Sequence, residues 1–273
     1  MILFPAEPFA GPQIDAAFAN EASFAPDVAA FNFEALLEGK AGRAVRWVPE
    51  GGGVAVLRGW MMRPETYAAL YDAMAAKGWR LVNSPAQYDR THLFPQSYDL
   101  IRDVTPRSVW IPAPAEGREI DMALRSFAGP LVVKDYVKSR KHEWHEAFFI
   151  PDAASPEARR VVDNFFRRQG SDLVGGLVLR EFESFVPLAH HAVSGIPLTR
   201  EHRLFFLDGE ILSADDYWAD GAYPTEPLSL KRFAEVGRRI DSRFFTMDVA
   251  LRTDGEWRVV ELGDGGVAGL PPA

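Results

Sequence analysis

Phe245-Thr246-Met247-Asp248-Val249-Ala250-Leu251 and Trp257-Arg258-Val259-Val260-Glu261-Leu262 flank the segment Arg252-Thr253-Asp254-Gly255-Glu256 late in the chain. Two apolar runs around Asp-Gly predict a hairpin, because both turn residues accept the left-handed backbone that a tight reversal requires. On the first run Asp248 alternates against Met247, Val249 and Leu251, so it faces away from their apolar surface. Glu261 closes the second run, and the glycine-rich stretch Gly263-Asp264-Gly265-Gly266-Val267-Ala268-Gly269 adds Asp264. Paired strands lie about 5 Å apart, so two carboxylates on one face can share a cation. Such oxygen donors suit Mg²⁺ or Mn²⁺, which leave waters and phosphates to complete the shell. The alternative is a set of solvent-facing strand acids.

Working back from the hairpin, Leu207-Asp208-Gly209-Glu210 predicts a second one, joining Arg203–Leu207 to Glu210–Ser213. Leu131–Lys134 and Leu177–Phe182 read as further strands, and helices fit Pro156–Gln169 and Pro227–Asp241. Hairpins mixed with helices give an α+β organisation. Lys134 ends an apolar run; an ammonium on the inner face of a strand needs an anion, either a phosphate or a structural carboxylate. Arg180-Glu181-Phe182-Glu183 leaves a strand where backbone groups could meet the edge of an adenine. Glu201 and Arg203 share a strand face, either as an ion pair or with Arg203 turned to a phosphate. Ser139-Arg140-Lys141-His142-Glu143-Trp144-His145 is either a flap over phosphates or, as its residues individually suggest, a solvated loop. His142 and His145 lack the H-E-x-x-H pattern of a zinc helix, and adjacent His190 and His191 point apart. Gly263-x-Gly265-x-x-Ala268 is no dinucleotide fingerprint, because that motif opens a helix within a βαβ unit and two prolines follow here.

The first half has another rhythm. Ile2–Phe4, Val54–Leu57, Arg80–Val82 and Ser108–Ile111 read as strands. Between them, Pro64 opens a helix that stops near Gly78, and Pro95–Val104 reads as another. This alternation predicts an α/β lobe with a mostly parallel sheet. Pro112–Gly117 is the best linker, which divides the chain into residues 1–113 and 114–273. Arg58 and Trp60 follow a strand, where Arg58 could hold a substrate carboxylate across the interlobe cleft; a surface arginine and a packing tryptophan are the equal alternative.

Composition bounds the reading. The chain has 273 residues, 47% apolar and 25% charged, with net charge −8 and a pI near 5.3. An acidic protein lacks the broad basic patch that nucleic acid requires, although a few local cations suffice for one triphosphate. There is no cysteine, so disulfides, thiolate metal sites and a cysteine nucleophile are excluded. No basic-then-apolar leader or membrane-length apolar stretch is visible, and a cytoplasmic location is expected. Oligomeric state is not legible.

The order of these elements — strand lysine, Val178-Leu179-Arg180-Glu181-Phe182, Glu201-His202-Arg203 before an Asp-Gly hairpin, Asp248-Val249, then Val259-Val260-Glu261-Leu262 — resembles the ATP-grasp superfamily, in particular its RimK-like carboxylate–amine ligases. The resemblance runs from about Gly129 to Pro271, and the first half looks like the α/β lobe that precedes the grasp domain. It implies ATP held between two subdomains and these residue roles. Lys134 contacts α- and β-phosphates, Glu181 and Phe182 form the adenine hinge, and Glu183 approaches the ribose. Arg203 steadies the transferring phosphoryl group with Glu201 as its acidic companion, and Asp248 and Glu261 hold metal. Family members commonly carry asparagine two residues after the second carboxylate; Gly263 stands there, so Asp264 is expected to serve as third ligand. The implied activity joins a carboxylate to an amine, on a small molecule or a peptide, with ATP and Mg²⁺. A nucleotide-binding module without ligase activity and a divalent-metal hydrolase are the competing expectations.

Overall fold

The structure, a computed structural model, describes residues 1–190, 197–219, 221–224 and 228–270. His191, Pro227 and Pro271, all named above, lie outside the described residues. Strands β1 (Ile2–Pro5), β2 (Val28–Phe31), β3 (Gly53–Leu57) and β4 (Trp79–Leu81) form an all-parallel sheet in the order β2-β1-β3-β4. The helix Pro64–Ala76 begins at its proline, and Tyr67, Leu70 and Met74 are buried at 3–4 spacing. Gly78 follows with φ +87°, a conformation that suits a residue without Cβ. The helix Pro85–His92 was missed, although Ser84 and Gln87 form a capping box whose S-x-x-Q signature stands in the sequence.

Strands β5 (Ser108–Pro112), β6 (Leu131–Lys134), β7 (Phe149–Ile150) and β8 (Gly176–Glu181) form a second sheet, ordered β5-β8-β6-β7. The strand at Ser108 therefore does not close the first lobe as the sequence suggested: β5 runs antiparallel to β8, with Val109 opposite Leu179. The helix Gly117–Arg125 begins inside the expected linker. The helix Pro156–Gln169 packs Val161, Val162 and Phe165 into the core of this sheet.

A short hairpin, β9 (Pro187–His190) with β10 (Pro197–Thr199), leads to the third sheet. There β11 (Glu201–Leu207), β12 (Glu210–Asp216), β13 (Phe244–Leu251) and β14 (Trp257–Asp264) are ordered β12-β11-β13-β14, all antiparallel. The Asp208-Gly209 turn has φ of 49° and 82°, which explains its residue types. One face of this sheet is core: Leu204, Phe206, Phe245, Met247, Val249, Val259 and Leu262 pack on Phe233 and Val236 of the helix Leu230–Gly237. The other face carries the polar residues considered next. Among the described residues no helix is long and apolar enough to cross a membrane.

Candidate active site

The second and third sheets face each other across a cleft of about 550 Å³. Its lining is part apolar, with Val132, Trp144, Phe148, Phe182, Phe185 and Leu198, and part charged, with Lys134, Lys141, Arg180, Glu181, Glu183, Glu201 and Glu261. Strand alternation separates cleft from core. Val132 and Lys134 share one face of β6 while Leu131 and Val133 enter the core.

Asp248 and Glu261 are direct cross-strand partners on β13 and β14. Like charges opposite one another are unfavourable, and each carboxylate here has its own cation. Lys134 Nζ donates to Glu261 at 2.8 Å, linking the second sheet to the third. Arg203 donates from Nε and Nη2 to the two oxygens of Asp248, each at 2.8 Å. Burial opposes ionisation of Glu261, but the Lys134 charge and hydrogen bond outweigh it and hold the carboxyl below its usual range. Burial likewise works against the Arg203 guanidinium, yet Asp248 overrides it and the pKa rises. Burial of Asp248 pushes its carboxyl up against the Arg203 pairing. Behind Lys134 and Glu261, the helix Pro85–His92 contributes His92, which burial holds down at about 4 and hence neutral near pH 7.

Glu201 and Arg203 do not pair with each other, contrary to the simpler of the two expectations. Arg203 belongs to Asp248, and its guanidinium lies 4.6 Å from the centre of the Tyr217 ring. Glu201 accepts from Thr199 Oγ1, and burial pushes its carboxyl up while Lys141 pulls it down. Lys141 also acts on Asp248 and Glu261. Lys141 is exposed, as a solvated loop would have it, and also lines the cleft, as a flap would. Where the adenine hinge is expected, the Glu181 and Phe182 amides donate to Arg107 O and Pro130 O, at 2.9 and 3.0 Å. Glu183 pairs through Oε1 with Arg252 and Arg258, each at 3.3 Å. Its Oε2 is buried without a hydrogen-bond partner, and Glu183 lines the cleft.

Two expected residues are elsewhere. Asp264, proposed above as third metal ligand, lies on the opposite face of β14 from Glu261, since three positions along a strand reverse direction. It is 2% exposed, accepts from Asn83 Nδ2 at 2.5 Å and from the Gly266 amide at 2.8 Å, and burial pushes its carboxyl up to about 6. Arg58, proposed to hold a substrate carboxylate, is buried and donates to both carboxylate oxygens of Glu21 and to Gly265 O. Arg58, Asn83 and Asp264 therefore fasten the first sheet to the end of β14. A Cβ on Gly266 would sit 2.8 Å from Leu57 O, so glycine permits that contact. Trp60 packs edge-on against Phe18. Among the described residues, no group of three His, Cys, Asp or Glu could hold a metal, and the His142 ring lies 3.2 Å from Glu143.

With this geometry described, comparison with known proteins decides the family. A family model of the ATP-grasp domain, the third family of its clade, matches residues 121–273, more than half the chain. The chain belongs to that ATP-grasp family. No curated protein matches it. Among solved structures it is similar to a RimK domain ATP-grasp protein from Sphaerobacter thermophilus, at TM-score 0.57 and 13% identity, covering 98% of this chain and 92% of that one. It is similar also to the D-alanine–D-alanine ligase from Bacillus anthracis complexed with ATP, at TM-score 0.57 and 13% identity over 97% and 85%. A third is the ATP-grasp ligase PsnB complexed with a minimal precursor, at TM-score 0.53 and 13% identity over 97% and 90%. At these identities the likeness shows the ATP-grasp fold: an α/β lobe, then two facing subdomains with the cleft between them.

Proposed function

We propose that this ATP-grasp protein is a cytoplasmic, ATP- and Mg²⁺-dependent ligase that joins a carboxylate to an amine, on a small molecule or a peptide. The observation that carries this reading is the 2.8 Å contact between Lys134 and Glu261, residues from two sheets and 127 positions apart, in a cleft lined by both aromatic and charged side chains. A nucleotide offers a partner for each, a flat base for the aromatic groups and a triphosphate for the cations. The expected division at 113/114 cuts β5 from its sheet, so the grasp domain is taken to begin before Ser108, where β5 pairs with β8.

The base occupies the wall of Phe182 and Trp144. The Glu181 and Phe182 amides are already engaged, so their carbonyls and the next amide, of Glu183, are the hinge groups left to it. The unpartnered Glu183 Oε2 is an acceptor for ribose hydroxyls, since a buried carboxylate oxygen without a donor is costly. Asp248 and Glu261 fit Mg²⁺, because two protein carboxylates with phosphate oxygens and waters are its usual protein-side complement. Held by these two residues, Mg²⁺ would supply charge neutralisation for the phosphates. Lys134 and Arg203 exchange their carboxylate partners for phosphate oxygens when nucleotide and metal arrive together, and Lys141 closes from the flap side with Glu201 beneath it. Their charge disperses onto the transferring group, and the aromatic wall excludes water. A carboxylate oxygen attacks the γ-phosphorus and the bond to ADP breaks, leaving an acylphosphate. The amine nitrogen then attacks the carbonyl carbon and phosphate departs with the C–O bond, giving the amide once the nitrogen loses its proton. Mass-spectrometric screening for amide products with ATP, Mg²⁺ and pools of amino acids and peptides tests this. ADP appearing only with both carboxylate and amine supports it; no amide and no ADP with any pool defeats it.

One observation favours a second reading, a nucleotide-binding module without turnover: the third carboxylate, Asp264, faces away from the cleft. That protein would gain thermal stability from ATP and release no ADP. The hydrolase reading loses its third ligand on the same ground.

A further inference from the structure

We infer that Arg180 is a positioning residue for the metal carboxylate: it pins a β-bulge at Val260 that aims Glu261 into the cleft. This rests on the ligase reading of Asp248 and Glu261. The register of β13 and β14 pairs Asp248 with Glu261 but Val249 with Val259, so Val260 is an extra residue with no partner on β13. Its consequence follows from alternation. Trp257 and Val259 pack toward the core beside Val249. A regular strand would place Glu261 on that same apolar face, because residues two apart share a face. The inserted Val260 reverses this. Val260 and Glu261 both line the cleft, and Leu262 takes the core position.

The bulge leaves Val260 without a ladder partner, and Val259, whose amide donates to Val104 O, turns its backbone to the open edge of β14. Arg180 supplies partners to both from the opposite sheet. Its Nη1 donates to Val260 O at 2.6 Å, and its Nη2 donates to Val259 O at 3.1 Å and to Thr105 Oγ1 at 2.7 Å. Thr105 Oγ1 itself donates to Val259 O at 2.8 Å. The guanidinium is buried on β8, one residue before Glu181, and both of its arms are spent on the two bulge carbonyls and Thr105. A planar fork with two directed arms makes this pattern; a lysine ammonium has no equivalent. Arg180 therefore acts through Glu261 rather than on the nucleotide.

The test compares wild type with Arg180→Lys and Thr105→Val. Free Mn²⁺ is followed by electron paramagnetic resonance in the presence of a non-hydrolysable ATP analogue, and binding of the same analogue in EDTA by calorimetry. Arg180→Lys should lower apparent Mn²⁺ affinity by about 10–100-fold, the range for residues that orient metal ligands. Analogue affinity in EDTA should stay within about twofold. Thr105→Val should shift Mn²⁺ affinity the same way by roughly threefold. Unchanged Mn²⁺ affinity in folded Arg180→Lys overturns the inference, and so does a parallel fall of both affinities, which marks a general structural role. If Arg180→Lys does not fold, Thr105→Val carries the test, and unchanged Mn²⁺ affinity there overturns it equally. Wild type that takes up no Mn²⁺ with the analogue sinks the ligase reading and this inference together.

Discussion

The cleft holds two cation–carboxylate pairs that differ in what they join. Arg203 and Asp248 sit on neighbouring strands of one sheet, in register, with both carboxylate oxygens engaged. Lys134 and Glu261 reach across from one sheet to another through a single contact, and Glu261 is 45% exposed at its side chain. The first pair is built by strand geometry within one sheet. The second exists only while the two sheets stay close. The protein thus carries one cation set by a single sheet and one that depends on closure, and in the proposed function both trade their carboxylate partners for phosphate.

Glu261→Gln breaks the comparison most severely. It removes the charge on the cross-sheet side and half of the proposed metal-holding pair, so ADP formation should fall by about 10³-fold or more in a folded protein. A coupled ADP assay checks this, and turnover near wild type removes Glu261 from the metal assignment. Arg203→Lys tests the preset pair. A point charge cannot satisfy both oxygens of buried Asp248, so turnover should fall roughly 10–100-fold with a lower thermal midpoint. An unchanged kcat would mean that the fork is not used. Asp264 sharpens the comparison as the carboxylate outside both pairs. Its pKa is raised to about 6 in the folded chain from an ordinary value near 3.8, so its protonated form is the one the fold favours. That contribution is complete below about pH 4 and is lost as the pH climbs through 6. Asp264→Asn should therefore flatten the pH dependence of denaturant stability between pH 4 and 7, by about 1–2 kcal/mol, with little change in metal affinity. A loss of metal affinity matching that of Glu261→Gln would return Asp264 to the site. The smallest effect belongs to Phe182→Ala beside Trp144 and Phe149, with a weakening of nucleotide binding of about tenfold measured by calorimetry.

How far the sequence carried these conclusions depends on the range of the interaction. The Asp-Gly hairpins, the helix Pro156–Gln169 and the alternation that turns Asp248 from the core are local, and they stand in the structure at or near the residues read. The helix Pro85–His92 has an equally local signal, the capping box of Ser84 and Gln87. Arg180 left only a faint signal, a charge at the end of an apolar run. Lys141 was visible as part of a basic segment, and nothing local separated it from a solvated neighbour.

By itself, the sequence determined which residues can form strands and turns and which chemical groups those strands carry, because periodicity and turn chemistry act over a few residues. Only the tertiary structure decided which groups meet. It paired β5 with β8, Arg203 with Asp248, and Asp264 with Asn83. It also placed one unpaired residue, Val260, in β14. The physical reason is the strand's period of two. A single inserted residue exchanges the faces of everything beyond it, and only the partner strand and the arginine that pins the insertion determine where it falls.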